Sequence, residues 1–151
     1  MMPLRCNVLL IARDRRTGQV ARVAAGHNLV VDKGRELISR MLAEETGWNT
    51  GVTYCALGTN NTTPTTAQTL LVAEGKRKAV TQVLRAGYRV QYRTYFLASE
   101  SNINIQETGL FGHSTATATL NTGEMLNRAL LSYDNSAGLK DLTVVHEIQY
   151  G

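Results

Sequence analysis

From Tyr88 to Leu97 the chain runs YRVQYRTYFL, with apolar residues at every second position. Tyr88, Val90, Tyr92, Thr94 and Phe96 take one side, and Arg89, Gln91 and Arg93 take the other. Successive residues of a strand point to opposite faces, so this alternation specifies a strand with one buried and one solvent-facing side, and it does not fit a helix. Leu142 to Tyr150 repeats the pattern, with Leu142, Val144, His146, Ile148 and Tyr150 on one face.

The other segments follow from similar patterns. Arg5 to Ala24 reads as a hairpin, with Val8 to Ala12 answered by Val20, Ala21 and Val23 across a polar turn containing Gly18. Asp32 is read as the N-cap of a helix over about 32–45 in which Leu37, Ile38, Met41 and Leu42 share a face. Gly34 in its first turn costs helix propensity, which the acidic cap offsets. Val52 to Leu57 is a short strand ending at Gly58, before a loop of Thr, Asn and Pro. Thr69 to Val83 fits a helical turn or a strand equally. Asn102 to Phe111 and Met125 to Tyr133 are extended, and STATAT, Ser114 to Thr119, reads as an edge strand or exposed hairpin.

About seven or eight short strands around one helix make the fold mainly β with one α-helix, an antiparallel β-sandwich or barrel-like single domain. The domain is expected to span 1–151, with the N-terminal hairpin at 5–24, the helix at about 32–45 and the remaining strands within 52–150. There is no βαβ rhythm, internal repeat or Gly/Ser linker to suggest a second domain.

Charge and motif content narrow the function. The 16 basic and 12 acidic residues leave a net +4, with small clusters at Arg13, Arg15 and Arg16 and at Lys76, Arg77 and Lys78. Both clusters read as solvated turn and strand-edge charge. A nucleic-acid-binding β-barrel would instead show a basic stripe interleaved with stacking aromatics, so no nucleic acid partner is expected. No apolar run approaches the ~20 residues of a membrane span. The segment MMPLRCNVLLIARDRR is too short in apolar residues for a signal peptide, which predicts assembly in the cytoplasm.

Cys6 and Cys55 lack metal-ligand spacing and read as buried free thiols. His27 in a loop, His113 after a turn and His146 on an apolar face do not cluster. Glu100, Glu107 and Glu147 form a conceivable carboxylate group for a small hydrolase. Only 6% of residues are aromatic, so no sugar platform surrounds them. No nucleophile elbow, phosphate loop or metalloprotease motif occurs, so no catalytic residue, cofactor or metal is expected. NNTTPTTAQT reads as an exposed connection. The stretch ETGLFG, Glu107 to Gly112, is open between a ligand-binding lip and a structural turn.

The segments HNLVVDKGRELISRML, TYCALGTNNTTPTTAQTLL, EGKRKAVTQV, FLASESNINIQETGLFG, MLNRALL and LTVVHEIQYG follow one another in that order. This order resembles a family of small structural proteins of tailed bacteriophages, described as tail-fibre or tail-collar-fibre-like, over Gly26 to Tyr150. The sharpest matches are Asn28-Leu29-Val30-Val31, Ala56-Leu57-Gly58-Thr59 and Glu107-Thr108-Gly109-Leu110-Phe111.

The resemblance implies a non-enzymatic virion protein, most directly a tail, baseplate or fibre component. A head decoration protein that cements the capsid is the alternative. Asn28, Gly58, Glu107, Gly109 and Phe111 become structural positions. In ETGLFG, Leu110 and Phe111 would plug the core while Gly109 and Gly112 turn the backbone. Glu107 would accept backbone N–H groups or pair with an arginine such as Arg128.

The expected partners are copies of the chain itself, as a trimer, other virion proteins of tail or capsid, and a host surface. The assembly surface expected from the pattern comprises Tyr95 and Leu97 on the second side of their strand and Thr115, Thr117 and Thr119 of the uncharged STATAT edge.

Overall fold

The computed structural model describes residues 4–151, so the first three residues of the expected domain lie outside the described residues. The strand β1 (Leu4–Asp14) turns Cys6, Val8, Leu10 and Ala12 inward and pairs on one side with β2 (Val20–Val30) and on the other with β9 (Lys140–Tyr150). The Asp14 carboxylate accepts the N–H groups of Arg16 and Thr17 and so closes the turn into β2. Beyond β9 come β6 (Arg89–Phe96) and β5 (Gln82–Ala86).

β2 leaves β1 after His27 and pairs through Asn28 to Val30 with β8 (Glu124–Asp134). From β8 the sheet continues through β7 (Asn104–Gly112) and β3 (Val52–Gly58) to β4 (Glu74–Ala79). The nine strands run antiparallel in the order β4-β3-β7-β8-β2-β1-β9-β6-β5, curled into a half-barrel with a single helix. Its edge strands β4 and β5 are consecutive in the chain, joined through Val80 and Thr81.

The inside of the curl is one apolar core. Leu10, Leu37, Leu57, Phe96, Leu110 and Leu142 are fully buried in it. Each such side chain contributes about 1.5–3 kcal/mol relative to leaving it in water.

The helix α1 (Asp32–Leu42) packs on β8 through Leu37, with Ile38 and Met41 half-buried against the core. Leu42, expected on the same face, is 81% exposed, because it is the last helical residue and projects past the sheet. Asp32 does not cap the helix. The N-cap position is Val31, without a side-chain cap, and the Thr66 carbonyl accepts the Asp32 N–H at 2.8 Å. A loop carbonyl thereby takes the N–H of the first helical residue, one of the donors that the helix itself leaves unpaired.

Gly34 is buried because β8 runs against it, and a Cβ there would collide with the Leu126 backbone. Gly34→Ala gains helix propensity of about 1 kcal/mol. It is nonetheless expected to destabilise the protein by about 1–3 kcal/mol, since helix and strand must separate. Urea unfolding checks this; a variant as stable as the parent, or more so, would mean the helix stands away from β8.

Several other expectations change. Thr69–Val83 resolves into an irregular run followed by β4 and the start of β5. STATAT forms no strand: it belongs to the loop joining β7 to β8, where Thr117 and Thr122 hydroxyls bond each other and nearby backbone. Hydroxyl-to-backbone bonds compete here with sheet pairing. His27 lies in β2 and not in a loop, since β2 runs on to Val30 where the hairpin was expected to stop at Ala24. Tyr88, at the turn between β5 and β6, is 81% exposed despite the alternation that placed it inward.

Candidate functional site

ETGLFG is neither a lip nor a corner. It is the second half of β7, paired on both sides, and its odd-numbered residues face the outside of the curl. Gly109 has no positive φ; it admits neighbours, because a Cβ there would meet the Asn127 carbonyl at 2.6 Å and Leu71 at 3.1 Å. Gly58 opposes Glu107 across β3, where a Cβ would press on the Glu107 carboxylate. The glycines therefore allow close approach and do not turn the chain.

Glu107 does both things expected of it. Its carboxylate accepts the N–H groups of Val72 at 3.1 Å and Ala73 at 2.7 Å, and it pairs with Arg128 Nε at 2.7 Å with both side chains fully buried. Arg128 in turn donates to the Thr62 carbonyl at 2.7 Å and to Gln68 Oε1 at 3.3 Å. The loop NNTTPTTAQT is thus strapped onto the sheet from beneath, and Leu71 at its end is buried on Phe111 and Met125. A charged pair without water survives only when its remaining lone pairs and protons are met, as here.

A second pair repeats the device and was missed in the sequence. Arg77, expected to be solvated with Lys76 and Lys78, is fully buried against Glu74 at 2.6 Å. It donates to the Thr122 carbonyl and hydroxyl at 2.6 and 2.9 Å, and its guanidinium lies 4.3 Å over the Phe111 ring. Glu74 also accepts the Asn121 N–H at 3.1 Å. This pair holds down the loop that contains Thr115, Thr117 and Thr119. The sequence signal was a glutamate and an arginine three residues apart in EGKRKA, Glu74 and Arg77, both within β4.

A polar cluster lies in the interior around His146. His146 Nε2 lies 3.1 Å from the Thr108 hydroxyl and 3.9 Å from Cys55 Sγ, while its Nδ1 and the Thr94 hydroxyl have no hydrogen-bond partner among the described residues. Burial pushes the imidazole down to about 3 and the Cys55 thiol up to about 11, so both are neutral at pH 7. A neutral thiol beside a neutral imidazole is not an activated nucleophile. Cys6 is likewise free and buried, with its thiol pushed up to about 12.

His146 therefore predicts a pH dependence. The unfolded imidazole protonates below its ordinary 6.5 and the folded one only near 3, so the unfolded state binds the extra proton between those values. Stability should fall as pH drops from 6.5, approaching about 1.4 kcal/mol per pH unit, and level off above 6.5. Urea unfolding between pH 5 and 8 should show this slope in the native chain and lose it in His146→Leu.

The other residues singled out by sequence stand apart. Asn28 sits where β2 changes partner, its Nδ2 donating to the Asn7 carbonyl at 3.4 Å. Glu100 pairs with Lys78 and accepts the Leu97 N–H, Glu147 accepts from Gln91 at 2.8 Å, and Glu107 is sealed under its loop, so the three carboxylates do not meet. Tyr95 and Leu97 are partly exposed at the end of β6, Tyr95 bonding Asp141 at 3.0 Å, whereas the three threonines ride on the loop over β4 and β3. The expected assembly surface is thus two separate places.

A different surface is continuous. On the outer face of β2, β1, β9 and β6, Ala25, Leu9 and Val145 form one row and Val23, Ile11, Thr143 and Tyr95 the next. Val23 is 52% exposed and Ala25 is exposed, Leu9 and Ile11 are half-buried, and Val145 at 9% lies at the bottom of the surface. Compared with family models, with curated proteins and with solved structures, the chain finds no match.

Proposed function

We propose that the chain is a structural subunit of a tailed-phage virion, a tail, baseplate or fibre component that acts by self-assembly and docking and not by catalysis. The observation that carries the reading is the division of the sheet's outer surface. The β4-β3-β7-β8 half is sealed by two loops tied down by buried Arg–Glu pairs, while the β2-β1-β9-β6 half carries rows of apolar side chains that reach the surface at Val23, Ala25 and Tyr95 and are half-buried at Leu9 and Ile11. Uncovered apolar surface on a rigid β scaffold is what an assembly interface requires. The order of motifs from Gly26 to Tyr150 supplies the phage context, and the polar groups of the interior supply no activated nucleophile.

On this reading the working form is a homo-oligomer, a trimer, held at the particle surface and in contact with other virion proteins. Light scattering over a concentration series tests the self-assembly. A mass three times the 16.5 kDa chain is expected. A mass of one chain at every concentration would remove self-assembly from the proposal.

A further inference from the structure

We infer that the outer face of β1, β9 and β6 docks a second copy of this chain, and that it receives the acidic C-terminal end of that copy's α1. The inference rests on the self-assembly proposed above and names its two surfaces. Charge is unevenly divided between the two halves of the sheet. Residues 4–30, 82–96 and 140–150, which carry β1, β2, β5, β6 and β9, hold nine of the 16 basic and three of the 12 acidic residues, a net of +6. The rest of the chain holds seven basic and nine acidic residues, a net of −2, and the two make up the chain's +4.

Eight of those nine basic residues are arginine. Arginine is enriched at protein interfaces, where lysine is depleted, because its planar fork pairs with carboxylates and gives up hydration more readily. Among the described residues, Arg5, Arg13, Arg89 and Arg93 of this face have no carboxylate in salt-bridge range. Arg5 and Arg89 flank Gln149 in one row across the three strands, and Leu9, Val145 and Arg93 form a row two steps on. Between them is a hollow of about 380 Å³ floored by Leu9 and Val145 and edged by His27 and Glu147. The Glu147 carboxylate accepts a hydrogen bond from the neutral Gln91 amide and keeps its charge, so the arginines of the face outnumber the one carboxylate at the hollow by four to one.

The complementary feature lies on the other half. Leu42 is 81% exposed at the end of α1, and Glu44 and Glu45 follow it, both exposed; Glu45 pairs with Arg40 at 2.7 Å, which leaves Glu44 as the carboxylate without a cation in salt-bridge range among the described residues. The helix C-terminus adds partial negative charge at the same place. One apolar side chain beside the unpaired Glu44 carboxylate matches an apolar hollow on a face whose arginines have no carboxylate partner among the described residues. Two different surfaces can meet reciprocally in a two-fold pair or head-to-tail; the trimer proposed above takes the head-to-tail arrangement, which closes into a ring when its rotation allows.

Charge exchange tests this on the full chain. Light scattering and sedimentation would compare the native protein, Arg5→Glu with Arg89→Glu, Glu44→Lys with Glu45→Lys, and all four together, with thermal unfolding confirming that each folds. Among the described residues Arg5, Arg89 and Glu44 are exposed and make no ion pair, and the Arg40–Glu45 pair that Glu45→Lys breaks is solvent-exposed and worth about 1 kcal/mol or less, so folding should survive the exchanges. Each double variant should weaken assembly about tenfold or more, 0.5 M salt should weaken the native assembly, and the fourfold variant should regain it.

A native-like assembly in Arg5→Glu with Arg89→Glu overturns the docking surface and leaves self-assembly standing. A native protein that is monomeric at low salt overturns both, and a monomer retaining duplex DNA through the same arginines would reassign the face to a polyanion.

Discussion

Glu107→Ala is expected to destabilise the protein by about 3–5 kcal/mol. The substitution leaves the Arg128 guanidinium buried without its counter-charge, and it strips acceptors from the Val72 and Ala73 N–H groups at the same time. Arg128 cannot shed its proton, so the charge stays or the loop lifts to admit water. Glu107→Gln retains an acceptor oxygen and the shape of the side chain, and should cost less than the alanine variant. The double change Glu107→Ala with Arg128→Ala should cost less than the sum of its parts, because the second change removes the stranded charge. Urea unfolding gives the energies, and limited proteolysis reports whether residues 59–73 come loose. A loss below about 1 kcal/mol would mean the pair is solvated.

Phe111→Ala should cost about 3–5 kcal/mol as well. The ring is fully buried with Val31, Ala56, Leu71 and Met125, a small core on the outer side of the sheet, separate from the main one. It also carries the Arg77 guanidinium on its face at 4.3 Å, so its loss takes a desolvated cation–π contact together with the packing. At roughly 2–4 °C per kcal/mol for a chain of this size, the melting temperature should fall by about 6–20 °C. Phe111→Leu, which keeps most of the volume, should lose less. A fall of a degree or two for the alanine variant would place the ring at the surface.

How much of this was legible in the sequence can be seen strand by strand. The period-two runs ending at Phe96 and Tyr150 place Val90, Tyr92, Thr94, Phe96 and the inward face of β9 correctly, because alternation is a local property of a half-buried strand. The class, mainly antiparallel β around a single helix, follows from many such runs. What failed depended on distant chain. STATAT has the composition of a strand, but Arg77, some forty residues earlier, holds Thr117 and Thr122 in a loop. Asp32 has the character of a cap, yet the Thr66 carbonyl reaches its N–H from a loop that had no visible reason to be there.

The site shows the same division. Glu107 with Arg128 was named through the resemblance, which made Glu107 a structural carboxylate in need of a partner, and the structure brings the two together by setting β7 beside β8. Glu74 with Arg77 was not, since a basic triplet reads as solvated until the fold turns its middle residue under a loop. Nothing in the charges of Arg5 and Arg89 indicates that they stand on one row. That requires the β1-β9-β6 order, which sequence alternation alone does not determine.

The central claim, a structural protein carried by the virion, is tested most directly by labelling. Antibody against the purified chain, gold-conjugated and applied to particles released from cells that express the gene, should decorate the tail end of intact virions. Label over the head would relocate the protein to the capsid as a decoration subunit. Particles that carry no label, and contain none of the chain after purification, would contradict the account.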